Sequence, residues 1–365
     1  MLNILALGDA HFQTSNLKEI NFFLDKLNNF LKQESNDIDI ICIMGDILHD
    51  HARLHVTPLN KAIEYVNLCA TYKPTYVIVG NHDAEFNSIF LTDNHWLNCL
   101  KNKTNIQVID TLTVHEIKGH KLVFCPYVPD GRFVEALNTK KGQWEDAKCI
   151  FSHVTIKDCK MGSLIAKDAD EWKDEYPLLV SGHIHGSQWV TDNMFYTGSI
   201  LQVAVDEDPD KIIALISIDK DGLPEIQEID LELPKKKILH VDISEIDDYK
   251  VPNEPNTTYS LYISGSYDDF KAFRKGTKYR DLQKLPQIGS AKNIKFQATK
   301  DEKKEKIRQI EDLQKVRQKH FTEMLLENIK LEKDQTQVKL MLSLYNSLLD
   351  NSDDISEDLE NLLII

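Results

Sequence analysis

Short apolar runs, each closed by a small residue and then Asp, Asn or His, limit most strongly what this chain can fold into. They lie at residues 3–7, 38–44, 76–79, 149–151 and 178–180, and they end in Gly8-Asp9, Gly45-Asp46, Gly80-Asn81, Ser152-His153 and Gly182-His183. A further apolar run covers 122–124. Helical patterns fall between them at 17–33 and 58–72; in the second, Leu59, Ala62, Ile63, Val66 and Ala70 share one face. Strand and helix alternating at this rhythm read as a layered α/β domain. In such domains ligands bind at the carboxyl ends of strands, so the polar clusters are placed to converge.

Composition removes several alternatives. The chain has 365 residues, 42% hydrophobic and 28% charged, which suits two or three globular domains and excludes a disordered or fibrous protein. No stretch reaches the roughly 18 to 20 apolar residues of a membrane span. The apolar start, Met1 to Leu7, is stopped by Asp9 and reads as a strand, not as a signal peptide. The six cysteines show no CxxC spacing and are expected as reduced core thiols of a cytosolic protein. The tryptophans at 96, 144, 172 and 189 follow no cofactor pattern and are read as packing. A formal net charge of −15 argues against a protein that simply coats DNA. That charge is uneven: residues 1–234 hold 20 basic and 35 acidic residues, 235–320 hold 20 and 13, and 321–365 hold 3 and 10.

The sign changes suggest units with different partners. Residues 1–234 form the first, with two more strands at 194–197 and 212–218 around an acidic turn, 206–210. The proline-containing stretch 231–237 reads as a linker. Residues 235–300 are expected as a small α+β unit, with strands at 238–243, 258–264 and 293–297 and a basic helix at 268–280. Residues 301–320 read as a charged linker or solvated helix, and 321–365 as two helices with an acidic end.

The clusters carry the chemistry. Asp9 and His11 are two residues apart, as are His183 and His185, so in extended backbone each pair can face one pocket. With Asp46, Asn81 and His153 they offer two carboxylates, an amide oxygen and four imidazoles, with His82 and His49 beside them. Two divalent ions sharing one carboxylate suit this set; mixed oxygen and imidazole donors favour manganese, iron or zinc over calcium. Such a pair of ions clamps a phosphoryl group and activates water. Each piece alone is unremarkable, since Asn and Gly also make turns. The order of all five is what is specific.

Gly8-Asp9-Ala10-His11, Gly45-Asp46, Gly80-Asn81-His82-Asp83, His153 and Gly182-His183-Ile184-His185 together resemble the calcineurin-like metallophosphoesterase superfamily. The resemblance covers roughly residues 1–220 and implies a four-layer α/β/β/α sandwich. It implies that Asp9, His11, Asp46 and His185 bind one metal, that Asp46, Asn81, His153 and His183 bind the second, and that Asp46 bridges. His82 would stabilise the transition state or protonate the leaving oxygen. The protein-phosphatase branch has Asp-Arg-Gly after the second motif, where this chain has Leu48-His49-Asp50. Gly45-Asp46-Ile47-Leu48-His49, with Tyr196-Thr197-Gly198-Ser199, instead resembles the SbcD-like DNA nucleases, and in size the compact phage recombination endonuclease subunits. In that branch a histidine three after the bridging Asp assists cleavage; His49 matches it, although it also fits a local polar cluster with His51 and His55.

The branch implies a manganese-dependent DNA exonuclease and endonuclease that is a homodimer. It implies a capping domain on DNA and an SMC-like, SbcC-type ATPase partner bound by the C-terminal helices, in bacterial or phage-infected cytoplasm and away from membranes. Lys271, Arg274, Lys275, Lys278 and Arg280, with Phe273 and Tyr279 interleaved, are the candidate DNA-phosphate contacts; a basic surface helix is the alternative. The apolar stripes of the tail fit a partner groove or a local hairpin core. The competing function is a small-nucleotide phosphodiesterase or phosphatase with the same site; a metal-free scaffold is disfavoured because every expected ligand is present.

Overall fold

In the computed structural model the described residues are 1–219, 224–289, 291–297 and 337–343. Seventeen strands appear among them. The first sheet holds β1 (Leu2–Leu7), β2 (Ile40–Ile43), β3 (Thr75–Ile78) and β4 (Ile106–Ile109), all parallel, and adds β13 (Ile213–Ile218) and β14 (Glu225–Ile229) antiparallel at one edge, in the order β14-β13-β1-β2-β3-β4. The second holds β5 (Thr113–Ile117), β6 (His120–Phe124), β7 (Cys149–Ser152), β10 (Leu178–Ser181), β11 (Gln188–Thr191) and β12 (Met194–Tyr196), in the order β11-β12-β10-β7-β6-β5, with parallel pairing in its centre. A hairpin of two short strands, β8 (Lys160–Met161) and β9 (Leu164–Ile165), stands apart from both.

Strand alternation builds the layers. Leu2, Ile4 and Ala6 of β1 and Ile40 and Cys42 of β2 share a core with Leu122, Phe124, Phe151 and Val180 of the second sheet. Tyr76 of β3 stacks on Phe124 of β6 at 4.5 Å between ring centroids, which ties the sheets face to face. Leu5, Leu7, Ile41 and Ile43 point the other way, onto α1 (Leu17–Glu34) and α2 (Val56–Tyr72). Burial on both faces is why these strands read as unbroken apolar runs instead of alternating ones. The outer face of the second sheet is covered by the five-residue α3 (Phe133–Leu137) and by loops carrying Trp144 and Trp172. The fold is the expected mixed α/β sandwich, with one outer layer of long helices and one of loops.

Several expectations need correction. The 231–237 stretch is not all linker, because β15 (Lys235–Asp242) begins at Lys235; it joins β16 (Thr257–Ser264) and β17 (Ile294–Gln297) in a three-stranded sheet. The basic segment is not one helix. It is α4 (Tyr267–Phe273) and α5 (Thr277–Lys284), interrupted where Gly276 N–H turns back to the Phe273 carbonyl at 2.9 Å. Five cysteines are buried free thiols, but Cys99 is exposed, and Trp189 is half exposed. Of the tail, residues 337–343 are helical; Phe321, Leu325, Ile329 and the 301–320 stretch lie outside the described residues.

The chain separates into two compact units. One takes Met1–His240, Asp248–Tyr262 and Thr277–Lys295; the other takes Val241–Asp247, Ile263–Gly276 and, of the described residues, those from Phe296 onward. Within the second, Ser266 caps α4 by accepting from Asp269 N–H, and Phe270 packs on Phe296. Among the described residues no helix is long and apolar enough to cross a membrane.

Candidate metal centre

Five strands deliver the site from their carboxyl ends. β1 leads into Asp9 and His11, β2 into Asp46, β3 into Asn81 and His82, β7 into His153, and β10 into His183 and His185. His11, Asp46 and His183 have positive φ, at 45°, 49° and 80°, a region that side chains other than glycine adopt at a cost. That backbone turns the side chains inward at once after their strands. Two glycines make room: a Cβ on Gly80 would collide with the Asp46 carboxylate, and one on Gly182 would lie 2.5 Å from Asp9 Oδ1.

The side chains meet at short range. His185 Nε2 lies 2.9 Å from His11 Nε2, and His183 Nδ1 lies 3.3 Å from His153 Nε2. His153 Nε2 also lies 3.0 Å from Asn81 Oδ1 and 3.2 Å from Asp46 Oδ2, while His11 Nε2 is 3.7 Å from the same Asp46 oxygen. Paired imidazole nitrogens this close leave room for at most one proton between them. The arrangement calls for a shared positive centre. Two donor groups result, Asp9 with His11 and His185, and Asp46 with His153 and His183; Asp46 Oδ2 lies between them. With Asn81, these are the seven side chains expected from the sequence, and oxygen and imidazole donors without thiolates fit catalytic divalent ions.

Electrostatics agree with a site built for cations. Burial alone would raise Asp46, but the His153 ring, followed by His11 and His82, outweighs it and holds the carboxyl well below the usual range. Burial lowers His153, yet the Asp46 and Asp9 carboxylates push it up to about 9. Asp9 is raised to about 6, mainly by burial, and His183 falls to about 3 through burial and the neighbouring His153 charge.

His82 and His49 are also brought in. The His82 backbone N–H donates to Asp46 Oδ1 at 2.8 Å, and its ring Nδ1 donates to the His49 carbonyl. The ring therefore keeps Nε2 for chemistry. His49 Nδ1 is 3.4 Å from His11 Nδ1, and His11, His49 and His82 form a third close cluster. Of the candidate DNA contacts, Lys271, Arg274, Lys275 and Arg280 are exposed, whereas Lys278 is half-buried and donates to the Tyr249 carbonyl.

Four neighbours were not singled out from sequence. His51 stacks on His82 with ring centroids 4.0 Å apart, and Tyr127 lies 5.6 Å from the His183 ring. Glu207 accepts from His185 Nδ1 at 2.8 Å with one oxygen, and from Lys211 Nζ and Val203 N–H, both at 3.0 Å, with the other. Gln202 clasps this loop: its Nε2 donates to the Glu207 and Lys236 carbonyls, and its Oε1 accepts from Lys236 N–H at 2.7 Å. Glu207 sat inside a run that reads as a solvated acidic turn. Its only signal was a carboxylate near the Tyr196-to-Ser199 motif, which is followed by Ile200, whose N–H braces the Asp9 carbonyl.

Comparison with known proteins gives the family. The calcineurin-like phosphoesterase family model matches residues 2–187, and the chain belongs to that family. It is 40% identical over 279 residues to "Putative phosphoesterase 244L" of Invertebrate iridescent virus 6, covering 74% of this chain and 97% of that protein. It is 36% identical over 285 residues to "Putative phosphoesterase 078R" of Invertebrate iridescent virus 3, covering 77% and 81%. Among solved structures, a hypothetical protein from Thermus thermophilus aligns with a TM-score of 0.33 at 10% identity, over 62% of this chain and 99% of that one. The chain is thus a metal-dependent phosphoesterase. Divalent ions, when bound, supply Lewis-acid activation of water and neutralise phosphoryl charge. The protein places seven side chains that could hold such ions at its strand ends and, among the described residues, leaves His82 Nε2 without a backbone partner beside them.

Proposed function

We propose that this chain is the nuclease subunit of an SbcD-like recombination and break-processing complex. It hydrolyses DNA phosphodiesters, as exonuclease and endonuclease, by two-metal catalysis with manganese. His82, assisted by His49, serves the leaving oxygen. The observation that carries this reading is His49 itself: three residues after Asp46, it reaches the His11 ring and holds His82 by its carbonyl. The exposed Lys271, Arg274, Lys275 and Arg280 then serve DNA phosphates, while Lys278 serves structure through Tyr249. The residues after 320 bind an SMC-like ATPase, and the nuclease works as a homodimer in the cytoplasm.

A second reading, a small-nucleotide phosphodiesterase, is favoured by one feature. The metal-site cavity has a volume of about 740 Å³, within the range of small-molecule pockets, and it carries Asp206, Glu207 and Asp208 on its wall. Truncation near Lys235 is a poor discriminator, because Gln202 holds Lys236 and the first unit reaches Lys295. The test is cleavage of linear duplex DNA by the full chain in manganese, magnesium or chelator, with His183→Ala alongside. Manganese-dependent degradation that the variant loses supports the nuclease. Hydrolysis of a small diester without DNA cleavage moves the assignment to the second reading.

A further inference from the structure

The β8–β9 hairpin presents large apolar side chains to solvent beside the metal site. Met161, Leu164 and Ile165 are 40%, 66% and 53% exposed. Isolated exposed apolar residues are ordinary, but Met161 and Leu164 stand together on one short hairpin. Lys160, Met161 and Gly162 line the same cavity as Asp46, His82 and His183. Met161 and Leu164 are directly paired across the hairpin, which places them on one face. The hairpin is anchored, not loose: Lys160 N–H donates to Gln188 Oε1, Gln188 Nε2 donates to the Lys160 carbonyl, both at 2.9 Å, and Ala166 N–H donates to the carbonyl of buried Cys159 at 3.0 Å.

Charge says what sits there. The same cavity is also lined by Asp206 and Asp208, whose carboxylates repel phosphate. Lys160 is the one lysine or arginine among the lining residues, and its ammonium makes no ion pair among the described residues. A phosphodiester entering the site is therefore drawn along the Lys160 side, and the group attached to it meets Met161 and Leu164. Met, Leu and Ile are side chains that proteins press against or between bases.

We propose that this hairpin is a base-contacting lip: Lys160 takes a phosphate flanking the scissile one, and Met161 with Leu164 packs on the adjoining nucleobase. The inference rests on the proposed phosphodiesterase activity and names the residues that meet the substrate's base. The test compares the full-length chain with Met161→Ser/Leu164→Ser and with Lys160→Ala, in manganese. The substrates are the p-nitrophenyl ester of thymidine 5′-monophosphate and the base-free methyl p-nitrophenyl phosphate. The double variant is expected to raise KM for the thymidine ester by about tenfold and leave the methyl ester unchanged. Equal effects on both esters, or none, overturn the proposal. Binding of a single-stranded oligonucleotide carrying 2-aminopurine gives a readout without turnover. A fluorescence change with the wild type that the double variant loses supports the lip even if neither ester is hydrolysed; no difference overturns it.

Discussion

The donor group Asp9, His11 and His185 and the donor group Asp46, His153 and His183 use the same residue types but are held in different ways. In the second, His153 is fully buried and its Nδ1 donates to the Met44 carbonyl at 2.8 Å, so main chain fixes the ring. In the first, the His185 side chain is 32% exposed and its Nδ1 is fixed by Glu207, a side chain that Lys211 must hold in turn. A ring set by main chain moves only if the strand moves. A ring set by an ion pair can be released by one substitution. The outer tautomer-fixing partner of a metal-binding histidine is worth about one to two orders of magnitude in affinity, so this difference has consequences.

The largest expected effect tests what the groups share. Asp46→Ala removes the oxygen that lies between them, and activity should fall by about a thousandfold or more, equivalent to roughly 4 kcal/mol of transition-state stabilisation. Calorimetric titration with manganese should show loss at both sites. Retention of one undiminished site would break the picture of two groups joined by one carboxylate.

A smaller effect separates the groups. Glu207→Gln keeps the size of the side chain but loses the charge that Lys211 and His185 share. One of two manganese ions should bind about 10- to 100-fold more weakly while the other is unchanged, and Glu207→Asp should recover part of the loss. Equal weakening of both ions would show that Glu207 supports the whole site and not His185.

The smallest effect is a proton count. Metal-free His153, raised to about 9 by Asp46 and Asp9 against burial, carries a proton at pH 7, whereas His11, lowered mainly by burial, carries none. Coordination needs a neutral ring. Filling the second group at pH 7 should therefore release about one proton from His153, with the release fading as pH rises past about 9. Calorimetry in two buffers of different ionisation enthalpy measures this, and filling of the second group without proton release at pH 7 would overturn it.

The sandwich was legible where burial is two-sided. β1, β2, β3, β7 and β10 lie within a residue or two of their expected bounds, because a short unbroken apolar run fits little besides a buried strand. β5 and β14 were missed, since Thr113-Val-His-Glu-Ile117 and Glu225-Ile-Gln-Glu-Ile229 are half-exposed edges whose polar residues resemble loops. The candidate donors were legible because each lies just past a strand end. Glu207, Lys211, His51 and Tyr127 were not, because their roles come from contacts across the fold: 22 residues separate Glu207 from His185. A carboxylate in an acidic turn says nothing about which imidazole it meets.

The Gln202 clasp makes the start of β15 part of a load path. Its amide grips Lys236 on one side and the backbone of Glu207 on the other, and Glu207 grips His185. Tension on the polypeptide beyond Lys236 would arrive, through two hydrogen-bonded side chains, at His185 of the less protected group. Mechanical force applied downstream would thus act on the chemistry as a throttle, loosening one ion while the other stays in place.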